Sequence, residues 1–416
     1  MTQFIDCLII GGGQAGLAMS RCLVEAGIEN VVLERGSLAN RWTEARWPSL
    51  RLLTPGWMTR LPGQQLAGEA DGFLGAADLA ERLQGYARTQ GLPVIENIDV
   101  LALEKLGDRF RAVTSHGSWI ARSVVVATGA CDRPRIPGWG RKLSAAIQQI
   151  SSSQYRGVDH LPEGGVLVVG ASATGVQLAG EIAASGRQTM LAAGSHVRSP
   201  RRYRGRDLFE WLDASGFLAD RTPGGRSPAQ LIAQPSLQLI GSGDAREVDL
   251  FSLARSGVIV AGRAVSAAGS VIGFADDLPE GMARAEQRRQ RMLSGIDSFI
   301  ESAGIDAPEE PQAHKLGGLL IPMAGAIDLR EHGISTVLWA TGYRRDYSWI
   351  HFDACDAQGE LRQHGGLCDV PGLFALGLPF MRHRASSFID GVGRDAEAIA
   401  PIIANYLHAH EGLRVA

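Results

Sequence analysis

Apolar runs of three to six residues recur along the chain, and helix-periodic stretches separate most of them. The predicted buried strands cover residues 7–10, 31–33, 124–127, 166–169, 335–340 and 373–376. The predicted helices cover residues 17–26, 76–89, 176–184, 280–303 and 396–409. Strands that alternate with helices pair side by side in the same direction, so the pattern predicts an α/β fold with parallel sheets.

The same series of elements occurs twice. A strand, a glycine turn, a helix and a second strand begin at residue 7, and the series begins again at residue 166. Each half also has a strand that ends in Ala-Thr-Gly, at Thr128-Gly129 and at Thr341-Gly342. We therefore expect two nested Rossmann-like dinucleotide-binding domains with parallel sheets.

The expected domain boundaries follow from the breaks in this series. Prolines and a glycine between residues 134 and 138 interrupt regular structure, which places a crossing between domains there. We expect a discontinuous first domain, formed by residues 1–145 and 325–416. The second domain should cover residues 160–324 and carry a helical insertion, although residues 215–320 have little other readable pattern.

Composition narrows the class of protein. The chain has 416 residues, a formal net charge of -3 and 45% hydrophobic residues, as expected for a globular protein without a nucleic-acid partner. Apolar runs stay well below the roughly 20 residues of a membrane span, and the apolar start runs directly into Gly11, so we expect no signal peptide. We expect a cytoplasmic protein that binds small molecules and no metal ion. The sequence does not decide between a monomer and a homodimer.

The first glycine turn has the pattern of a phosphate-binding loop. Residues 11–16 read Gly-Gly-Gly-Gln-Ala-Gly between a predicted strand and a predicted helix. Gly11 permits the tight turn, Gly13 lets a pyrophosphate approach the backbone, and Gly16 lets the helix pack on the strand. Glu34 lies 23 residues after Gly11 at the end of the second strand, where a carboxylate accepts ribose hydroxyl hydrogens. A turn that serves only helix packing is the weaker alternative.

The second glycine turn lacks the matching carboxylate. Residues 170–175 read Gly-Ala-Ser-Ala-Thr-Gly, and the position that corresponds to Glu34 falls near Gly194. Arginines follow instead, and a guanidinium binds a ribose 2′-phosphate that a carboxylate would repel. We therefore predict a preference for NADPH over NADH at this site. The other interpretation is an ordinary solvated basic face.

These features together resemble the flavin-containing monooxygenase family. The clearest matches are residues 11–16, Glu34, Trp42, residues 126–129, residues 170–175 and residues 341–343. The resemblance implies FAD in the first domain and NADPH in the second. It also implies that one oxygen atom of O2 passes to a small organic substrate through a flavin C4a-(hydro)peroxide, because the cofactor carries the difficult chemistry.

The resemblance and the motifs identify the residues expected to contact the cofactors. Those residues are Gly11, Gly13, Gln14, Ala15, Gly16, Glu34, Arg35, Arg41, Trp42, Val100, Ala127, Thr128, Gly129, Gly170, Ser172, Thr174, Gly175, Ser195, Arg198, Arg201, Arg202, Thr341, Gly342 and Ile389.

Departures from the family pattern bear on the chemistry. Ala39-Asn40 stand where the family often has two glycines, and Ser151 replaces a linker histidine four residues before Tyr155. Pro55 follows Leu52-Leu53-Thr54, where many members place an asparagine. These differences argue against a standard Baeyer–Villiger enzyme and leave the exact type of oxygenation open. A nitrogen or sulfur centre is the expected site of oxygenation in the substrate.

Thr54 and Tyr155 are the expected catalytic residues. Thr54 would supply a hydrogen bond in a pocket whose apolar wall is Trp47, Trp57 and Met58, although these three side chains fit a core equally well. Tyr155 would contact the nicotinamide together with Ser151.

Three other points stay open at this stage. His383 is a candidate proton carrier, but a surface histidine beside arginines is the favoured interpretation. An NADPH oxidase or reductase that releases H2O2, or a flavin-containing sensor, are alternative functions. A dithiol disulfide reductase is disfavoured, because the five cysteines form no C-x-x-C or C-x4-C pair.

Overall fold

The structure, a computed structural model, describes residues 2–64, 72–221, 235–244, 246–309, 323 and 325–410. The helices are α1 Gln14–Glu25, α2 Asn40–Thr43, α3 Ala76–Thr89, α4 Ala173–Ala184, α5 Leu208–Ala214, α6 Leu250–Arg255, α7 Leu278–Ser302 and α8 Ile389–Ala409. The strands are β1 Thr2–Ile10, β2 Asn30–Leu33, β3 Val94–Ile95, β4 Val100–Leu106, β5 Arg109–Thr114, β6 Gly117–Val126, β7 Arg133–Pro134, β8 Gln148–Ser151, β9 Gly165–Val169, β10 Thr189–Ala192, β11 Val197–Arg198, β12 Arg202–Tyr203, β13 Arg206–Asp207, β14 Leu237–Gln238, β15 Ile259–Ala261, β16 Ala264–Ala268, β17 Val271–Phe274, β18 Gly325–Asp328, β19 Ile334–Trp339, β20 Tyr343–Arg344, β21 Gln363–His364, β22 Leu367–Cys368 and β23 Leu373–Ala375.

The first sheet is built around the long strand β1. Strands β2 and β6 flank it in parallel, β3 extends the sheet beyond β2, and β23 extends it beyond β6. The ends of β1, β2 and β6 are buried, and helices α1 and α8 pack against them. The β4–β5 hairpin extends the same sheet, because β5 pairs antiparallel with the first part of β6. This arrangement agrees with the predicted parallel α/β fold.

The second sheet is parallel throughout, with the order β15-β10-β9-β19-β8. Its central strand β9 is buried along its whole length, and apolar clusters cover both faces. The strand β19 therefore belongs to this sheet, which differs from the expected start of the first domain at residue 325. Its pairing with β9 spans more than 160 residues, so no local pattern could assign it.

A smaller apolar cluster caps the space between the two sheets. Helix α5 and the second half of α7 bury their apolar side chains against each other and against the segment that precedes α8. Its largest buried members are Trp211, Tyr203 and Phe209. We call this cluster the cap. It supplies one wall of a large cavity.

Two absences concern the described part of the chain. No helix there is long and apolar enough to cross a membrane. Within the same residues, no group of three or more His, Cys, Asp or Glu side chains is placed to hold a metal ion.

Candidate functional site

The first glycine turn is closed by a neighbouring strand. Gly11 has a φ of 111°, and a Cβ there would lie 2.6 Å from the carbonyl oxygen of Ala127. The N–H of Gly11 donates to the oxygen of Leu33 at 2.9 Å, and the N–H of Ala127 donates to the oxygen of Ile10 at 2.9 Å. Only glycine combines this φ with this close approach.

The other two glycines of the turn have opposite surroundings. A Cβ on Gly16 would lie 2.0 Å from the oxygen of Gly11, so the helix packs directly on the turn. A Cβ on Gly13 would meet nothing within 4 Å. Helix α1 begins at Gln14 without a side-chain cap, which leaves its first N–H groups directed at this open space. The turn therefore has room for a phosphate and donors to bind it.

Glu34 is held beside the turn by backbone donors. Its carboxylate accepts the N–H of Gly12 at 2.6 Å and the N–H of Gly36 at 3.1 Å. The side chain is 7% exposed and borders the cavity. Since each carboxylate oxygen has two lone pairs, the group keeps acceptor capacity for the two hydroxyls of a ribose.

The second glycine turn repeats this geometry. Gly170 has a φ of 110°, and a Cβ there would lie 2.4 Å from the oxygen of Ala340, the residue before Thr341-Gly342. A Cβ on Gly175 would lie 1.7 Å from the oxygen of Gly170. Helix α4 likewise begins without a side-chain cap, directly after the half-buried Ser172. Each Ala-Thr-Gly end thus closes one turn.

A cavity of about 1650 Å³ opens from the first turn. A site for one small molecule usually measures about 300–1,000 Å³, so this cavity has room for more than one ligand. Fourteen of the predicted residues line it: Gly11, Gly13, Gln14, Ala15, Glu34, Arg35, Arg41, Trp42, Thr54, Val100, Ala127, Thr128, Gly129 and Ile389. Gly16 lies behind the turn, in agreement with a packing role.

Basic residues border the cavity near Glu34. Arg35 and Arg41 both bind the carboxylate of Asp132, and the Arg35 distance is 3.0 Å. Burial and the nearby Arg35 cation lower the pKa of Arg41. These two guanidiniums share a single carboxylate, so positive charge remains at this end of the cavity.

Tyr155 does not border the cavity. Its ring is buried within the apolar cluster of the second sheet, and its hydroxyl donates to Glu181 at 3.0 Å. Burial and the adjacent Glu181 carboxylate raise the pKa of Tyr155 well above its usual value. Ser151 is also buried, with its hydroxyl bonded to Ser153 and Gln154. The expected contact of Tyr155 and Ser151 with a nicotinamide is therefore not supported.

The predicted phosphate-binding arginines have protein partners of their own. Arg198 pairs with Asp249 at 2.7 Å and with Glu286 at 2.9 Å. Arg201 is 1% exposed and donates through Nε to Asp207 at 2.7 Å. Because these charges are already neutralised by carboxylates, Arg198 and Arg201 are poorly placed to bind a phosphate, and this differs from the expectation.

The remaining predicted residues of the second half do not border this cavity. Ser195 and Arg202 are exposed, and Arg202 donates to the oxygen of Gly205. Thr341 donates to the oxygen of Arg135, Thr174 is half-buried, and Gly342 is exposed.

The residue directly after β10 is Ala193, which stands where Glu34 follows β2. The structure thus places the correspondence one residue earlier than Gly194, and the missing acid is an alanine.

The stretch before Met58 divides between cavity and core. Thr54 borders the cavity with the two preceding leucines, whereas Trp47 packs into the cluster of the second sheet and Met58 into the cap. Trp57 packs beside Met58. The core interpretation of Trp47, Trp57 and Met58 therefore holds, and Thr54 remains a candidate for a polar contact with a ligand.

His383 is buried, so the expectation of a surface histidine is wrong. Its Nε2 lies 3.2 Å from Oδ1 of Asp395, a helix α8 residue that is 1% exposed. The backbone N–H of His383 donates to Oγ of Ser386. The pair joins the loop before α8 to the helix itself, and the same loop contributes Pro379, Phe380, Arg384, Ser387 and Phe388 to the cavity lining.

Sequence reasoning missed the wall opposite the first turn. This wall consists of Phe209, Leu212, Phe217, Leu218, Arg284, Gln287, Arg288, Arg291, Met292 and Phe380. The cap supplies most of its apolar members, and helix α7 supplies three arginines. Their spacing of four and three residues on a helix already predicted from the sequence was the available signal.

Comparison with known proteins places the chain in a family. Residues 8–206 match the family described as pyridine nucleotide-disulphide oxidoreductase. An oxidoreductase of Geobacillus kaustophilus named CzcO-like is 31% identical over 408 residues, which cover 98% of this chain and 100% of that protein. The indole-3-pyruvate monooxygenase YUCCA1 of rice is 26% identical over 207 residues, about half of each chain.

Solved structures share the fold. The flavin-containing monooxygenase from Stenotrophomonas maltophilia superimposes with a TM-score of 0.66 and 20% identity over 97% of this chain and 99% of that one. At 20% identity this similarity shows a shared fold alone, whereas the full-length match to the CzcO-like protein shows membership of a common family. The chain therefore belongs to the family of the CzcO-like oxidoreductases.

Proposed function

We propose that this protein is an NADPH-dependent FAD monooxygenase, which inserts one oxygen atom of O2 into a small organic substrate at a nitrogen or sulfur centre. The observation that carries the proposal is the single cavity that joins the first glycine turn to the apolar cap. A dinucleotide that binds at the turn would extend its reactive end towards that cap.

The residues at the first turn fit the adenosine and pyrophosphate parts of FAD. The open space over Gly13 allows a pyrophosphate to approach, and the uncapped start of α1 supplies donors to it. Glu34 is held in place by Gly12 and Gly36, so its carboxylate is ready to accept from a ribose. Arg35 and Arg41 add positive charge beside it.

The opposite part of the cavity fits a reaction that excludes water. Its wall contains Phe209, Phe217 and Phe380, with Met292 of α7 beside them. FAD, when bound, accepts a hydride from NADPH and activates O2. The protein then has to bind and orient the reacting groups and exclude water from them, and a wall lined by phenylalanines excludes water.

Thr54 is the polar side chain that we propose contacts the substrate or the flavin ring. It follows Leu52 and Leu53, which also border the cavity. A hydroxyl in that position can donate or accept without a change of charge.

The test is an isotope and stoichiometry experiment on the purified, FAD-loaded protein. A panel of thioethers, thioureas and tertiary amines is incubated with NADPH under 18O2, and the product, the oxidised NADPH and the released H2O2 are quantified. The proposal predicts a product that carries one 18O atom for each NADPH consumed. Stoichiometric H2O2 with every compound, and no labelled product, would contradict it and favour an oxidase.

A further inference from the structure

Helix α7 presents three arginines to the cavity. Arg284, Arg288 and Arg291 are exposed, and their spacing of four and three residues places them on one face over about 10 Å of the helix. No carboxylate within the described residues forms an ion pair with any of the three. We call them the basic face of α7. Unpaired charges along a cavity wall attract an anionic ligand.

The basic face contacts the loop that follows β10, the second strand of the second glycine-turn unit. In this type of fold the residue after the second strand of the repeat faces the ribose. That residue is Glu34 in the first domain and Ala193 in the second. Three residues beyond Ala193, the carbonyl oxygen of His196 accepts from Nη1 of Arg288 at 3.5 Å. Arg288 thus stands close to the position where a second ribose would carry its substituents.

The lowered pKa of His196 also indicates positive charge near this loop. Its ring is buried, and burial is the main reason that its pKa lies below the usual value. The charges of Arg288 and Arg284 lower the pKa further, against the opposing effects of the Gly194 carbonyl and Asp249. The loop after β10 therefore experiences positive charge from α7, as a site for a phosphate requires.

The neighbouring arginines are not available for this role. Arg198 is held between Asp249 and Glu286, and Arg201 is buried against Asp207. Glu286 belongs to α7 but also binds Arg289, which puts it on a different side of the helix from the basic face. The carboxylates thus neutralise Arg198, Arg201 and Arg289 and leave the basic face charged.

We propose that Arg284 and Arg288 bind the 2′-phosphate of NADPH, so that α7, an insertion outside the nucleotide-binding turn, sets the preference for NADPH over NADH. The inference rests on the proposed function, since it assumes that the second turn binds a nicotinamide nucleotide. A guanidinium donates to two oxygens of a phosphate at once, which distinguishes a phosphorylated ribose from a plain one. Arg291 lies one turn nearer the cap and is not needed for this contact.

The experiment compares two nucleotides in one variant. The FAD-loaded double variant R284A/R288A is titrated calorimetrically with NADP⁺ and with NAD⁺, and flavin reduction by NADPH and NADH is measured in parallel. The dissociation constant for NADP⁺ should rise at least about 10-fold, because two charged contacts are lost. The constant for NAD⁺ should change by less than about 3-fold. The single variant R288K keeps the positive charge but loses the two-pronged guanidinium. Its dissociation constant for NADP⁺ should therefore lie between those of the wild type and the double variant.

Arg255 provides the matched control. Arg255 is exposed at the end of α6 and does not border the cavity, so R255A should leave both titrations unchanged. An equal loss of affinity for both nucleotides, or no change for either, would overturn the inference. If the wild-type flavin is reduced by neither nucleotide, the proposed function fails instead, and the two failures are therefore distinguishable.

Discussion

Replacing Gly13 by alanine separates a cofactor-binding turn from a turn that only packs a helix. The backbone at Gly13 has φ −87° and ψ −172°, which alanine adopts without strain, and its Cβ would meet nothing within 4 Å. The free energy of unfolding of the cofactor-free protein should therefore stay equal or rise by about 0.4–1 kcal/mol, because alanine restricts the unfolded chain more than glycine does.

The same methyl group projects into the space that a pyrophosphate needs. An overlap of this kind costs about 1–3 kcal/mol, which corresponds to roughly 5–150-fold weaker FAD binding. Two assays measure the effect: titration of the apoprotein with FAD, followed by flavin fluorescence, and the melting temperature with and without FAD. The wild type should gain melting temperature from FAD, since a ligand that binds only the folded state stabilises it, and G13A should gain much less.

Gly16 provides the matched control for Gly13. A Cβ there would lie 2.0 Å from the oxygen of Gly11, so G16A forces the backbone to move and should lower the melting temperature even without FAD. If G13A binds FAD as tightly as the wild type, the turn serves packing alone and the assignment of the first site is refuted.

Three further predictions concern buried charges. Arg201→Ala leaves its carboxylate partner unpaired in partly buried surroundings, so the free energy of unfolding in a urea titration should fall by about 3 kcal/mol; an unchanged midpoint would contradict this. Asp395→Ala should lower the melting temperature and weaken FAD retention together, because its contact with His383 supports the loop that borders the cavity; loss of neither property would contradict that role. Burial lowers the pKa of His196, so the folded state binds a proton less readily than the unfolded chain, and stability is lost as the pH falls below about 6.5. His196→Gln should make the melting temperature fall less between pH 7.5 and pH 5.5 than it does in the wild type; parallel curves would disprove the link.

The glycine turns and their flanking elements were predictable because each signal is local. The strand, the turn and the helix lie within about 20 residues, and the close approaches of Gly11 and Gly170 require a residue without a side chain. The repeated Ala-Thr-Gly ends had the same advantage, although their function of closing the turns became visible only in three dimensions. The first residue of helix α8 was harder to predict, because Gly391 and Gly393 interrupt the helical pattern there.

Features that depend on distant partners were not predictable from one sequence. The pairing of β19 with β9 joins residues far apart in the chain, so the domain boundary was misplaced. The arginine cluster after β10 had the pattern of a phosphate site, because the carboxylates that pair with Arg198 are distant in the sequence. These are Asp249 and Glu286, about 50 and 90 residues further on. Burial of His383 likewise depends on helix α8 folding back over its loop.

The central claim is that the chain binds FAD at the first turn and receives a hydride from NADPH at the second. Anaerobic titration of the purified protein with NADPH, monitored by its visible absorption, tests this most directly. We expect a yellow protein with about one FAD per chain whose 450 nm band is bleached by about one equivalent of NADPH. A colourless protein that takes up no added FAD, or a bound flavin whose spectrum NADPH leaves unchanged, would contradict it.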